Sequence, residues 1–192
     1  MKNLYIIAGC NGAGKTTASY TVLPEILQCK EFINADEIAK GLSPFNPEQV
    51  AIQAGRLMLT RINRLIQNET DFAFETTLAS KSFLKTIEKA KKKGYFITLI
   101  FFWLISPELA IERVKIRVKE GGHNIPQEVI VRRYYAGLNN FFNLYMNKVD
   151  YWMFFDNSDM ISKIIAEGNN ENISIKNTEI WHKLKNKYYE NK

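Results

Sequence analysis

The sequence predicts an α/β fold, one sheet of five parallel strands with helices on both faces and a helical lid, on three observations. Five short β-prone stretches, at 4–8, 31–36, 71–75, 95–104 and 150–156, alternate with segments of helical periodicity, and that alternation builds a doubly wound parallel sheet. The first stretch runs directly into Gly9-Cys10-Asn11-Gly12-Ala13-Gly14-Lys15-Thr16, a complete G-x-x-x-x-G-K-[ST] pattern with a helix-compatible run behind it. At 192 residues and 46% hydrophobic, the chain has room for one domain with a substantial core, spanning 1–192.

Leu4-Tyr5-Ile6-Ile7-Ala8 reads as the first strand. The glycines after it let the backbone curl until successive N–H groups face phosphate oxygens, with the positive end of a helix behind them. The stretch therefore reads as the phosphate loop of a P-loop NTPase. Gly9, Asn11, Gly12, Ala13 and Gly14 are expected to cradle the phosphates of ATP, and Lys15 to reach the β- and γ-phosphates. Thr16 would offer its hydroxyl to Mg²⁺, and Thr17 would lie one step along the helix, near the α-phosphate. That helix is expected over about 16–27. The second strand closes on Asp36, followed by a short helix over 37–40, and Ser43-Pro44 with Asn46-Pro47 then enforce a loop.

Val50, Ala54, Leu57, Met58, Ile62 and Leu65 recur at three- and four-residue intervals and predict a helix over 48–67. The third strand ends on Glu75. A helix over 80–93 stops at Gly94, and its crowded lysines, Lys89, Lys91, Lys92 and Lys93, read as a solvated helix terminus. The fourth strand is apolar throughout and is expected to be central, with both faces covered. Ser106-Pro107-Glu108 starts a helix that breaks at Gly121-Gly122, and another over about 127–147 leads to the fifth strand. The aromatic set Tyr134, Tyr135, Phe141, Phe142 and Tyr145 on that helix reads as core packing. The extension over 159–192 is expected to hold a hairpin turning at Gly168-Asn169-Asn170, because Ile173-Ser174-Ile175 alternates, and then a terminal helix over 178–187 capped by Thr178.

The balance of 26 Lys and Arg against 20 Asp and Glu gives +6, which suits a phosphorylated ligand. With no basic stripe or nucleic-acid motif beside it, nucleic acid is not the expected partner. Cys10 and Cys29 are the only cysteines, one in the phosphate loop and one after the next helix, so a reducing, cytoplasmic compartment is expected. No secretory leader is expected before so early a loop. The longest apolar run, 96–105, is about half the ~20 residues a spanning helix needs, so no membrane attachment is expected.

Ligands of open α/β sheets sit outside the carboxyl ends of the strands, where three acids stand here: Asp36, Glu75 and Asp156. Asp36 can take the proton of a hydroxyl attacking the γ-phosphate, or cap the helix over 37–40. Glu75 can hold Mg²⁺ through water, bind acceptor hydroxyls, or cap the following helix, and Thr76 and Thr77 add hydroxyl donors for an acceptor. Asn157, just past the last strand, lies where an adenine-contacting loop is expected. Between 113 and 133 a glycine pair separates two basic helices, the pattern of a lid that brings cations over a migrating phosphoryl group: Arg117 and Arg132 are the expected clamps, with Arg133 and His123 as substrate contacts. Arg113, Arg117, Arg132 and Arg133 can otherwise be surface charges paired with nearby glutamates. Arg56 can hold an acceptor phosphate or Glu75, or lie in a salt bridge on its helix face.

The phosphate loop from Gly9 to Thr17, Asn34-Ala35-Asp36, Ala54-Gly55-Arg56, Phe74-Glu75-Thr76-Thr77-Leu78, Gly121-Gly122-His123 with Pro126, and Arg132-Arg133-Tyr134, in this order, resemble the zeta toxin family of P-loop kinases, from about Leu4 to Ser158. The resemblance implies an ATP-dependent phosphotransferase acting on a small-molecule acceptor. In some members it is a toxin that phosphorylates UDP-N-acetylglucosamine and is held inactive by a small helical antitoxin. It further implies that Lys15 and Thr16 are the nucleotide and Mg²⁺ residues, Asp36 the base, Glu75 the acceptor-binding acid, and Arg117 with Arg132 or Arg133 the phosphate clamps.

Overall fold

Leu4, Ile6, Ile7 and Ala8 are almost wholly removed from water, which a strand achieves only with a neighbour on each side and cover on both faces. The computed structural model, which describes residues 1–122 and 124–189, places this strand, β1 (Lys2–Gly9), in that setting. The other strands are β2 (Phe32–Ile33), β3 (Phe72–Thr76), β4 (Tyr95–Trp103), β5 (Tyr151–Asp156), β6 (Lys163–Gly168) and β7 (Ile173–Ile175). They form one sheet in the order β2-β3-β1-β4-β5-β6-β7. The first five are parallel, with Ile7 level with Glu75 and Gly9 level with Phe102. In β4 both faces are covered, since Ile97, Leu99 and Phe101 on one side and Ile100 and Phe102 on the other are all buried.

The expectation of five parallel strands is corrected here, because the sheet has seven strands and is mixed. The expected hairpin exists, but it joins the sheet: β6 pairs antiparallel with β5, and β7 with β6. A short turn can only return the chain antiparallel, so a hairpin docked on the open edge of β5 breaks the parallel pattern. The helix α7 (Thr178–Tyr188) then packs Trp181 face to face on Trp152, with ring centroids 5.2 Å apart. Its N-cap is Asn177, whose side chain accepts the Ile180 N–H at 3.1 Å, and not Thr178.

Other elements depart from expectation for local reasons. The helix α1 (Lys15–Thr21) ends early and passes into a π-helical turn, Val22–Ile26, in which Leu27 N–H reaches Val22 O at 3.0 Å. Pro24 sits inside that turn and has no N–H to continue an α-helical ladder. The helix α2 (Ala35–Leu42) is capped by Asn34, so Asp36 lies inside its first turn and is not its cap. The helix α3 (Ala51–Gln67) follows a 3₁₀ turn, Pro47–Val50, and α4 (Leu84–Lys92) ends in exposed lysines as expected. The helix α5 (Pro107–Lys119) starts at Ser106, whose hydroxyl accepts the Leu109 N–H, and is closed by the glycine pair. Gly121, at φ +90°, lets its own N–H reach Val118 O and that of Gly122 reach Arg117 O, the Schellman arrangement. The helix α6 (Gln127–Asn140) passes into a second π-helical turn, Phe141–Tyr145. Tyr134, Phe141, Phe142 and Tyr145 enter the core, while Tyr135 stays exposed.

Candidate active site

The carboxyl ends of β1, β2, β3 and β5 bring the polar residues of the sequence to one edge of the sheet. From β1 the chain enters the phosphate loop, where Gly12 and Gly14 take φ +80° and +81°, the left-handed region that a side chain disfavours. Gly14 also has no space for a Cβ, which would strike the Asn157 amide. Cys10, beneath the loop, is buried. Desolvation pushes its thiol up to about 11 and Lys15 only partly opposes this, so a neutral group lies there.

Lys15 is 6% exposed, and its Nζ donates to Cys10 O at 2.9 Å and lies 3.4 Å from Glu75 Oε1. The other carboxylate oxygen, Glu75 Oε2, accepts from the Thr16 hydroxyl at 2.7 Å and from Asn34 Nδ2 at 2.9 Å. The register of β3 against β1 makes this possible, because it sets Glu75 beside Ile7, two residues before the loop opens. Glu75 thus holds the loop lysine, the loop threonine and the cap of α2 at once.

Two cavities meet at these residues. One, of about 320 Å³, is walled by Asn11, Gly12, Gly14, Lys15, Thr16 and Thr17 of the phosphate loop and the helix start, by Arg113, Arg117 and Glu120 of α5 and its end, and by Asp36 and Glu75. The second, of about 440 Å³, shares Asn11, Lys15, Asp36 and Glu75 and is completed by Arg56 and Gly55 of α3, by Thr76, Thr77, Ser80 and Phe83, and by Arg133. Lys15, Asp36 and Glu75 therefore stand between a cavity walled by the glycine loop and the arginines of α5 and one lined by hydroxyls, guanidinium groups and the apolar side chains of Ile52, Met58, Leu59 and Phe83. A third cavity, of about 350 Å³, adjoins the second through Ala35, Asp36 and Arg133, and Arg132 lines it.

The two helices of the expected lid deliver their arginines differently. Arg133 donates to Asn11 Oδ1 at 3.0 Å, and burial draws its guanidinium below the ordinary arginine value against the pull of Asp36. Arg132 is exposed and does not border the phosphate-side cavity. Arg117 borders the phosphate-side cavity. Arg113 shares its face of α5, one turn away, and also donates to the backbone oxygens of Asn157 and Ser158 at 2.8 and 2.7 Å.

Among the expected nucleotide contacts, Asn11, Gly12, Gly14, Lys15, Thr16 and Thr17 line the phosphate-side cavity. Gly9 and Ala13 shape the loop from behind, where Ala13 is fully buried. Asn157 borders none of the cavities described above, and its Nδ2 donates to Ala13 O at 2.7 Å, so it braces the loop. Arg56, Thr76 and Thr77 line the second cavity. His123 lies outside the described residues. Two participants stand apart from the expected sites, Asn34 and Arg113. An Asn before a helix start marks the first, and its spacing of four from Arg117 marks the second.

The zeta toxin family model matches residues 1–164. An uncharacterised protein of Haemophilus influenzae is 32% identical over 126 residues, covering 66% of this chain and 88% of that protein. Among solved structures, a chain of the AvrRxo1-ORF1:AvrRxo1-ORF2 complex with ATP is similar at TM-score 0.77 and 17% identity, over 96% of this chain and 63% of that one. A chain of the PezAT chromosomal toxin-antitoxin system of Streptococcus pneumoniae is similar at TM-score 0.66 and 16% identity, over 100% of this chain and 80% of that one. The present chain thus spans less than two thirds of the AvrRxo1 chain it matches. No helix among the described residues is long and apolar enough to cross a membrane.

Proposed function

The chain belongs to the zeta toxin family, and from that premise we propose that it transfers the γ-phosphate of Mg-ATP to a hydroxyl of a small-molecule acceptor. The observation that carries this reading is the place of Asp36 and Glu75, each on the wall of both the phosphate-side cavity and the adjoining cavity of about 440 Å³. Hydrolysis of a nucleotide needs room only for water. A second cavity with arginine, threonine and serine on its wall suits an acceptor that must be held while its oxygen attacks.

In this reading Lys15 turns from Cys10 O and Glu75 to the β- and γ-phosphates as they enter. Asp36 takes the proton of the attacking hydroxyl, a role worth ~10²–10⁴ in rate. Arg117 and Arg113 of α5, with Arg133 of α6, supply positive charge where the migrating group develops negative charge, and Arg132 follows as the helices close. Arg56, Thr76 and Thr77 hold the acceptor. Thr16 and Glu75 are the residues that would hold Mg²⁺, through hard oxygen donors of the kind it prefers. Mg²⁺ keeps much of its shell as water and substrate phosphate oxygens, so two protein oxygen donors suffice for it. Once bound, Mg²⁺ neutralises charge on the β- and γ-phosphates.

UDP-N-acetylglucosamine is the first acceptor to try on family grounds. The cavities of about 440 and 350 Å³ adjoin at Ala35, Asp36 and Arg133, which suits a molecule with a sugar end and a nucleotide end. A small helical antitoxin is the proposed protein partner, by analogy with the toxin-antitoxin system named for the PezAT structure. The test is to incubate the purified protein with Mg-ATP and UDP-N-acetylglucosamine, then other sugar nucleotides and nucleosides, measuring ADP and phosphorylated product together. The reading expects ADP formation to rise with a true acceptor and to match product. Brisk ADP formation that no acceptor changes would replace it with an NTP hydrolase working through a protein partner.

A further inference from the structure

Asn34 is 93% buried by its 7% exposure, and each polar atom of its side chain has a partner. Its Oδ1 accepts the Asp36 N–H at 2.8 Å, which caps α2 and fixes the first turn that carries Asp36. Its Nδ2 donates to Glu75 Oε2 at 2.9 Å and lies 3.4 Å from the Thr16 hydroxyl. The orientation of the amide follows from chemistry: the backbone N–H requires the oxygen on one side, and the carboxylate requires the NH₂ on the other.

Capping alone does not explain the residue type, because Asp, Ser and Thr accept from a helix N-terminus much as Asn does. Asn differs from Asp in offering a donor, and from Ser and Thr in carrying donor and acceptor on separate atoms, so that one side chain caps α2 and donates to Glu75 at once. The Thr16 hydroxyl donates to the same oxygen, Glu75 Oε2, at 2.7 Å, and accepts from Asn34 Nδ2 at 3.4 Å, while Thr16 lines the phosphate-side cavity. We propose that Asn34 is a positioning residue that ties the Mg²⁺-side pair, Thr16 and Glu75, to the helix carrying Asp36, so that cation and base are set by one side chain. This rests on the nucleotide reading above, but not on the identity of the acceptor.

The experiment uses the full chain, a fluorescent ATP analogue and Mg²⁺, with thermal melting as the check on folding. Asn34→Ser and Asn34→Asp both keep a capping oxygen and lose the amide donor to Glu75: the single serine oxygen is too short to cap α2 and reach the carboxylate together, and the aspartate has no proton to give and sets a carboxylate against Glu75. Asn34→Ser should melt near the wild-type temperature and bind the analogue in EDTA with wild-type affinity, whereas the buried carboxylate of Asn34→Asp should lower the melting temperature and weaken binding in EDTA. The Mg²⁺ concentration that half-maximally strengthens binding should rise in Asn34→Ser by the ~10–100-fold typical of losing an outer partner of a metal ligand. If wild type responds to Mg²⁺ and folded Asn34→Ser responds identically, Asn34 is a cap and no more. If wild type itself shows no response to Mg²⁺, the inference and the Mg-nucleotide reading fall together. Lack of acceptor phosphorylation alone bears on the acceptor reading and leaves this one standing.

Discussion

Lys15 rests on Cys10 O and beside Glu75 because a buried ammonium must be solvated by the protein when no phosphate is there to do it. The pair is almost fully desolvated, with side-chain exposures of 6% and 11%, so each charge depends on the other. Removing one member of a buried pair commonly costs ~3–5 kcal/mol, but Glu75 keeps donors from Thr16 and Asn34 and the loss here should be well under that. Lys15→Ala is therefore expected to fold, with a modest drop in melting temperature, and to lose ATP consumption to background. A variant that consumes ATP at the wild-type rate would remove the phosphate loop from the account. At this scale the loop was legible because its chemistry is contiguous in sequence. The sequence leaves open whether Asp36 caps α2, because Asn34 and Asp36 are both good capping residues, and only the backbone shows which one stands outside the first turn.

Helix α3 carries a residue that works against its own stability. Gly55 lies in the interior of a helix, and a Cβ built there would meet nothing within 4 Å, so no close packing requires a glycine. It does line the proposed acceptor cavity, between Ile52 and Arg56 on the same wall. Gly55→Ala should raise stability by about 0.5–1 kcal/mol, seen in denaturant unfolding, while raising KM for the acceptor and leaving KM for ATP unchanged. An unaltered acceptor KM would show that this wall of the cavity is not used, and a destabilised variant would show that the helix has no room for a methyl there. Elements with strong local periodicity, such as α3 and the apolar β4, were readable in advance. Pro24 was the overlooked cue for the end of α1, and β2 shrank to two residues because an edge strand needs few partners. The cavity proposed for the acceptor was not readable as a shape, since α3, the segment after β3 and α6 meet only through the fold.

Across the whole molecule, the residues beyond the family match form part of the same core. Trp181 is 1% exposed and lies on Trp152, Phe154 and Phe142, so α7 closes the side of the sheet built from β5. Trp181→Ala should cost ~3–5 kcal/mol, measured by denaturant unfolding, as expected for emptying a large buried site. A loss below about 1 kcal/mol would mean that α7 is an appendage. The alternation of Ile173-Ser174-Ile175 announced a hairpin, yet which edge it would join is a long-range pairing that no local pattern specifies. The same sheet edge that gathers Asp36, Glu75 and the arginines makes the central claim, that Asp36 takes the proton of a hydroxyl held in one cavity as its oxygen attacks a γ-phosphate held in the other, directly testable. The decisive measurement is the rate of acceptor phosphorylation by Asp36→Asn, with Mg-ATP affinity and melting temperature taken on the same preparation. The account predicts near wild-type affinity and melting with transfer reduced ~10²–10⁴-fold. Transfer at the wild-type rate, with or without a lowered melting temperature, would contradict it.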